Sequence, residues 1–291
     1  MNKQEAIDRF DRFLNLKGSA GRTKNCYRNW LERFLDFHES APISELTIFD
    51  AQDYLIALKE EGRYAERSYN QAVYAIRNFY NGVLNQRADN TNLPGVYPPR
   101  TDKQFFTAAQ ARQLIHECTD PRLKAAMALS FGSGLRIDEI CRIQIKHIHS
   151  DGQRGMITVV NSKFNRTRSV HYSTLAAAAL REYCQVFHIT RHDPEAFLFQ
   201  DAKKPGQRLP NSSIREPFMK YIQDFPFTLE GHTFHSLRHS FATALAMRDF
   251  PLPLIQKEMG HASCATTAGY IHVPAEDTRE FPDLLAGEDD S

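Results

Sequence analysis

The first hundred residues are written in a helical period and then break on a proline-rich stretch, which forces the chain into two separately packed parts. Ile7, Phe10, Phe13 and Leu14 recur every three or four residues, so a helix ends near Lys17-Gly18. A second starts near Thr23, with Tyr27, Trp30, Leu31, Phe34, Leu35 and Phe37 as its apolar face. Thr47 or Asp50 caps a third that carries Ala51, Tyr54, Leu55 and Leu58. After Gly62-Arg63 a fourth carries Tyr69, Ala72, Val73, Ile76, Phe79, Tyr80 and Val83. Stripes of this kind pack a core. The basic residues between them, Arg22, Lys24, Arg28, Arg63, Arg67 and Arg77, are better placed to meet a partner.

From Ala88 to Lys103 the text turns to Asn, Asp, Thr and Pro, the composition of an interdomain linker. Beyond it, Thr107 to Gln110 has the form of a capping box before a helix. A second helix starts at Pro121, and Gly132-Ser133-Gly134 separates it from a third that begins near Arg136. Met156–Val160 and Arg168–Tyr172 read as two strands joined through Lys163–Arg166. Further helices fall within Ser173–Val186 and Ser212–Gln223, and from Thr233 on, with breaks at Pro251 and Gly260. The expected fold is mainly α with a small antiparallel β-sheet.

Charge sharpens this division. The formal net charge is only +1, but residues 276–291 hold seven acids and one Arg, whereas residues 101–275 hold 21 Lys and Arg against 15 Asp and Glu. An acidic end thus masks a basic body, and basic surface is the usual footprint of a phosphate backbone. The five cysteines are scattered without a CxxC pair, as expected of reduced thiols in the cytoplasm. No apolar run is long enough for a bilayer, and the N-terminus has no signal-peptide pattern.

The chemistry gathers in a few places. On a helix over Thr233–Met247, Phe234, Leu237, Phe241 and Leu245 form the buried stripe, and His235 and Arg238, three apart, share an adjoining face. Arg238 offers a planar fork of donors suited to phosphate oxygens, and His235 can donate to another oxygen or handle a proton. Arg136 follows a glycine turn at a helix start, where free amides and a fixed Arg favour an anion. Two arginines suit a pentacoordinate phosphorane, whose charge spreads over several oxygens. Lys163 stands at the hairpin mouth, where a long side chain can protonate a leaving oxygen. Its neighbours Lys146, Arg166 and Arg168 are cations too, and the hairpin register leaves their roles open. His261 follows a glycine at a helix end, and Tyr270 supplies a phenol nucleophile. Glu139 is a supporting acid or an ordinary helix acid. His232, His235 and His239 have the spacing of metal ligands, but no acid or Cys joins them and Arg238 repels a cation, so His239 is expected to be a buried, hydrogen-bonded helix residue.

Taken together, Gly134-Leu135-Arg136-Ile137-Asp138-Glu139-Ile140, Ser162-Lys163, His235-Ser236-Leu237-Arg238-His239 with Ala242-Thr243, Met259-Gly260-His261 and Thr267-Ala268-Gly269-Tyr270-Ile271-His272 resemble the tyrosine recombinases, the family of phage-type integrases and Xer-like resolvases. The chain departs from the family pattern at Met259, Ser162 and His171, where Leu, Gly and Pro are common. The resemblance implies residues 1–88 as a helical, SAM-like core-binding domain, 89–103 as linker, 104–275 as an α+β catalytic domain and 276–291 as an acidic tail. It implies a site-specific recombinase or integrase working through a 3′-phosphotyrosyl intermediate. Tyr270 is then nucleophile, Arg136 and Arg238 the phosphate clamp, Lys163 general acid, and His235 and His261 hydrogen-bonding or proton-handling partners. No metal and no cofactor is implied. Arg22, Lys24, Arg28, Arg67, Arg77, Arg166 and Arg168 are the candidate DNA-contacting cations. The expected partner is double-stranded DNA with an inverted-repeat site, enclosed by a C-shaped clamp of the two domains. A tetramer on DNA joined through the tail is expected, with room for accessory DNA-bending proteins. The rival readings are a type IB topoisomerase or telomere resolvase using the same chemistry, and a DNA-binding regulator that has lost catalysis.

Overall fold

The computed structural model describes residues 1–97, 104–150, 155–161, 166–190, 192–201 and 203–260, with the side chains of Asn161 and Arg166 left aside. Lys163, His261, Tyr270 and the 276–291 tail lie outside the described residues. The chain divides into two compact units, Met1–Thr101 and Asp102–Ser291.

The first unit contains α1 (Lys3–Leu16), α2 (Gly21–Phe37), α3 (Ile48–Glu60) and α4 (Glu66–Phe79). Both candidates at the head of α3 take part in one device: Thr47 is the N-cap, and its amide donates to the Asp50 carboxylate at 2.6 Å. Apolar residues three and four apart bring Phe10, Phe34 and Phe79 into one fully buried cluster, with the Phe34 and Phe79 rings 6.1 Å apart edge to face. After Phe79 the chain widens into a π-helical turn, Tyr80–Leu84. A Cβ at Gly82 in that turn would lie 2.4 Å from the Phe13 ring, so α1 packs there only against glycine.

The Asn-rich stretch that follows is bonded to this unit. Asn81 donates to the Ala88 carbonyl at 2.7 Å, Gln52 to that of Asn92 at 2.8 Å and Asn70 to that of Val96 at 2.7 Å, while Leu93 is fully buried. Irregular backbone needs partners for its polar groups, and amide side chains of the helices supply them.

The second unit is built around α6 (Pro121–Ser133). Its run of Ala, Met and Leu is apolar on every side, and it is buried on nearly every side. Packed against it are α5 (Ala108–Glu117), α8 (Thr174–Val186), α9 (Ser212–Tyr221) and α10 (Phe234–Ala246). α7 (Ile137–Cys141) is a five-residue helix, and α11 (Leu252–Met259) packs on α10. The expected hairpin is present as β2 (Gly155–Asn161) and β3 (Arg166–Tyr172), and a short β1 (Ile148–Ser150) that the sequence did not announce adds to its edge in the antiparallel order β1-β2-β3. Ile157 faces Val170 across the ladder and both are fully buried, which sets the inward face of the sheet.

Candidate functional site

The site begins where α6 stops. Gly134 caps that helix in the left-handed conformation at φ 65°, and a Cβ there would meet the Phe241 ring at 2.6 Å, so the turn requires glycine twice over. Ser130 Oγ donates to the Leu135 carbonyl at 3.1 Å and fixes the turn. Arg136 then stands at the N-cap of α7. The expected anion at this helix start is already present within the chain: Glu139 accepts from the Arg136 amide at 2.9 Å and from its guanidinium at 3.0 Å.

Arg238 arrives from α10. That helix begins with Thr233 and Ser236 exchanging backbone and side-chain hydrogen bonds, and Ser236, Arg238, His239, Ser240 and Thr243 are all buried along it. The apolar stripe is therefore only half of the expected one: Phe234 and Leu237 are deeply buried, whereas Phe241 and Leu245 are partly buried and pack beside Ile255 and Met259 of α11. Small side chains at Ser236 and Ser240 let most of the first two turns be enclosed, with His235 left exposed. The Arg238 guanidinium is completely buried and donates to the carbonyls of Gly134 and Met259, with Glu139 Oε2 at 3.8 Å. A buried arginine with carbonyls for acceptors keeps its charge and holds a fixed direction.

Glu139 is the hub. Arg168 on β3 donates to both of its carboxylate oxygens, at 2.9 and 2.9 Å. Burial alone would raise this carboxyl's pKa, but the hydrogen bonds and charge of Arg168, then of Arg136, hold it down at about 2. It is thus an anion at any working pH, set among three guanidinium groups that leave the cluster net positive. Arg136 is about a third exposed and Arg238 not at all, so the positive cluster opens outward through Arg136. His235, one turn before Arg238, is exposed, its ring edge-on to His239 at 4.9 Å between centroids. His239 is buried as expected, and His232 is stacked on Phe106 at 4.0 Å with its Nε2 3.2 Å from the Phe105 carbonyl.

Of the predicted site residues, the structure therefore brings Arg136 and Arg238 onto one carboxylate and puts His235 a turn away. It also shows Glu139 and Arg168 joined to them, a link that charge alone did not reveal. Strand parity carries the signal for Arg168, which lies on the same face of β3 as the buried Val170 and Tyr172. Its side chain is only 15% exposed and is turned inward, the reverse of what a surface cation needs. Among the other candidate DNA-contacting cations, Arg22 and Arg67 are exposed, and Lys24 is partly buried and bonded to Asn15 at 2.6 Å. Arg28 is paired with Asp11 and Glu32 at 3.2 and 3.3 Å. Arg77 donates to the Leu93 carbonyl at 2.9 Å and lies over the Tyr74 ring, so its head group is committed within the first unit. The four cysteines among the described residues are free thiols. No helix among the described residues is long and apolar enough to cross a membrane.

Two family models match. Residues 104–277 fit the phage integrase family, and residues 7–90 fit the phage integrase N-terminal SAM-like domain. The chain belongs to the phage integrase family. Its relatives include tyrosine recombinase XerA of Pyrococcus furiosus, 27% identical over 98% of each chain. Another is tyrosine recombinase XerC of Oceanobacillus iheyensis, 29% identical over 96% of this chain and 95% of that one. Among solved structures, XerA recombinase is 25% identical with a TM-score of 0.51, covering 93% of this chain and 94% of that one. The XerH recombinase in a pre-cleavage complex with its difH substrate shares the fold at a TM-score of 0.70 and 17% identity, over 89% of this chain and 78% of that one. A tyrosine recombinase of this family cleaves and rejoins DNA, and that is the enzyme class of this chain.

Proposed function

We propose that this protein is a site-specific recombinase in which Arg136 and Arg238 clamp the scissile phosphate and Tyr270 attacks it. The observation that carries this reading is the convergence of two arginines from elements a hundred residues apart onto one buried carboxylate. A lone surface arginine would fit any phosphate. Two held against each other's repulsion by Glu139 suit the spread charge of a phosphorane. The Tyr270 oxygen bonds to phosphorus, the P–O5′ bond breaks, and Lys163 gives the 5′ oxygen its proton. The phenol proton passes to a neighbouring base, for which His235 and His261 are the candidates. A 5′-hydroxyl from another strand then reverses the step and expels the tyrosine. The phosphotyrosyl bond conserves the energy of the phosphodiester, so the balance needs no nucleotide and no metal.

The substrate in this reading is duplex DNA with inverted repeats around a short spacer, bound in the cytoplasm by residues 1–88 and 104–275 on either side of the 89–103 linker. Four strand cleavages per reaction call for a tetramer, with residues 276–291 linking protomers and DNA-bending proteins free to assist. Binding should weaken steeply with salt, because backbone contacts dominate. The test uses a duplex sequence that the full-length protein selects from a random pool, nicked beside the cleavage point to trap the intermediate. Wild-type protein should form a covalent adduct that survives detergent, and Tyr270→Phe should form none. An adduct from Tyr270→Phe would refute the assignment. Relaxation of a supercoiled plasmid lacking the selected site would place the enzyme with the type IB topoisomerases instead.

A further inference from the structure

Arg168 carries a charge, lies two residues past the hairpin turn and belongs by sequence with the cations that meet DNA. Its surroundings give it a different task. In the ladder it pairs with Val159, on the inward face that Val170 and Tyr172 complete. Two of its nitrogens donate to the two oxygens of Glu139, each at 2.9 Å, and its Nε donates to the Glu258 carbonyl at 3.3 Å. Three donor groups are thus turned into the protein, with the side chain 15% exposed.

The contact with α11 has its own logic. The last turn of a helix leaves carbonyls without intrahelical donors, and its dipole favours a cation there. Here Glu258 O takes Arg168 and Met259 O takes Arg238, so arginines from β3 and α10 clasp the same helix end. Gly260, next along, is in the left-handed conformation at φ 61°, and a Cβ on it would lie 2.8 Å from the Arg168 guanidinium carbon. The backbone that leads into His261 therefore rests directly on the Arg168 head group.

We propose that Arg168 is a positioning residue for strand cleavage: it holds the Glu139 carboxylate, and through it Arg136, and it fixes the end of α11 from which His261 follows, without touching DNA. This builds on the recombinase reading of Arg136 and His261. It separates Arg168 from a phosphate contact, whose loss would weaken binding and remove about one counterion from the salt dependence. It also separates Arg168 from mere packing, because its removal leaves Glu139 buried without its strongest cation. Burial then drives that carboxyl toward protonation, and Arg136 loses its anchor as pH falls.

The test uses the full-length protein with the selected duplex, measuring binding at several salt concentrations and single-turnover cleavage of its nicked form. Arg168→Lys keeps the charge but lacks the two-pronged fork, and it should bind with wild-type affinity and salt slope while cleaving about 10- to 100-fold more slowly. Arg168→Gln should also bind normally and cleave at least about 100-fold more slowly. Its rate relative to wild type should fall further as pH drops from about 8 to about 5. If Arg168→Gln does not fold, as judged by circular dichroism, the lysine variant decides alone. Wild-type cleavage by the lysine variant, or reduced affinity with a salt slope smaller by about one, overturns the proposal. So does a cleavage defect in Arg168→Gln whose ratio to wild type does not change with pH. Absence of the adduct with wild-type protein is a separate outcome and refutes the recombinase reading itself.

Discussion

Replacing Glu139 with Gln keeps the shape of the hub and removes only its charge, so the electrostatic worth of the cluster becomes measurable. The carboxyl sits at about 2 in the folded protein against an ordinary 4.5. At about 1.4 kcal/mol per pH unit, that gap is worth about 3 kcal/mol of folding stability at neutral pH. The side chain is only 12% exposed, so solvent screening takes little from this figure. The sign follows from the depressed value: the stabilisation is fully present above about 4.5 and is lost as pH falls through about 2. Glu139→Gln should therefore lower stability by about 3 kcal/mol at pH 7, in the range seen when one partner of a buried ion pair is removed. The deficit should shrink steadily between about pH 5 and about pH 2 as the wild-type carboxyl takes up its proton. Urea unfolding followed by far-UV circular dichroism across this pH range reports both helical units, and the second is read as the transition that Trp30 does not share. Fluorescence of Trp30, the only tryptophan in the chain, follows the first unit as an internal reference. A deficit that stays constant from pH 7 to pH 2.5, or a variant as stable as wild type at pH 7, would refute the assignment of Glu139 as an obligate anion.

Gly134→Ala should destabilise by about 2–5 kcal/mol, adding a left-handed penalty of about 1–2 to an overpacking cost of about 1–3 against the Phe241 ring. A fall in the thermal midpoint of the second unit measures it, and an unchanged midpoint counts against the close approach. Arg22→Ala and Arg67→Ala, at exposed positions, should each flatten the salt dependence of DNA binding by about one. Arg77→Ala should leave the slope alone and loosen the Leu93 anchor, seen as faster amide exchange around Ala88–Val96. Equal slopes for all three variants would show that committed and exposed arginines cannot be told apart by their partners.

Much of this arrangement is legible in the amino-acid sequence. Helical spacing placed α1 to α4, and a change to strand composition placed β2 and β3, because burial of one face imposes a period on the text. The three-residue β1 left no trace, being too short to show alternation. Glycine at 134 and Arg at 136 were readable as a turn and a helix start, since backbone conformation there is decided locally. The depth of Arg238 was not. An arginine three residues after a histidine on an amphipathic helix reads as a surface group, and groups distant in sequence, the carbonyls of Gly134 and Met259 with the Glu139 carboxylate nearby, receive it in the interior.

The same reasoning explains why the inward placement of Arg168 escaped a reading sorted by charge. Two local rules applied to it, and they pointed in opposite directions. Charge assigned it to the solvent with Arg22 and Arg67, while alternation along β3 assigned it to the interior with Val170 and Tyr172. Burying a guanidinium is costly unless an anion and acceptors meet it, so parity can prevail only where a carboxylate waits on the facing element. Glu139 was that carboxylate. It stands three residues after Arg136, at the position a capping box reserves for an acid, where its sequence neighbours do not separate a supporting acid from an ordinary helix acid. A strand arginine on the inward parity, together with an acid at a nearby helix start, is therefore a joint signal for a buried pair. Neither half is informative alone. In this chain the pair ties the β-hairpin to the start of α7 and the end of α11, and the charge around the proposed phosphate clamp is set by groups that need not touch a phosphate.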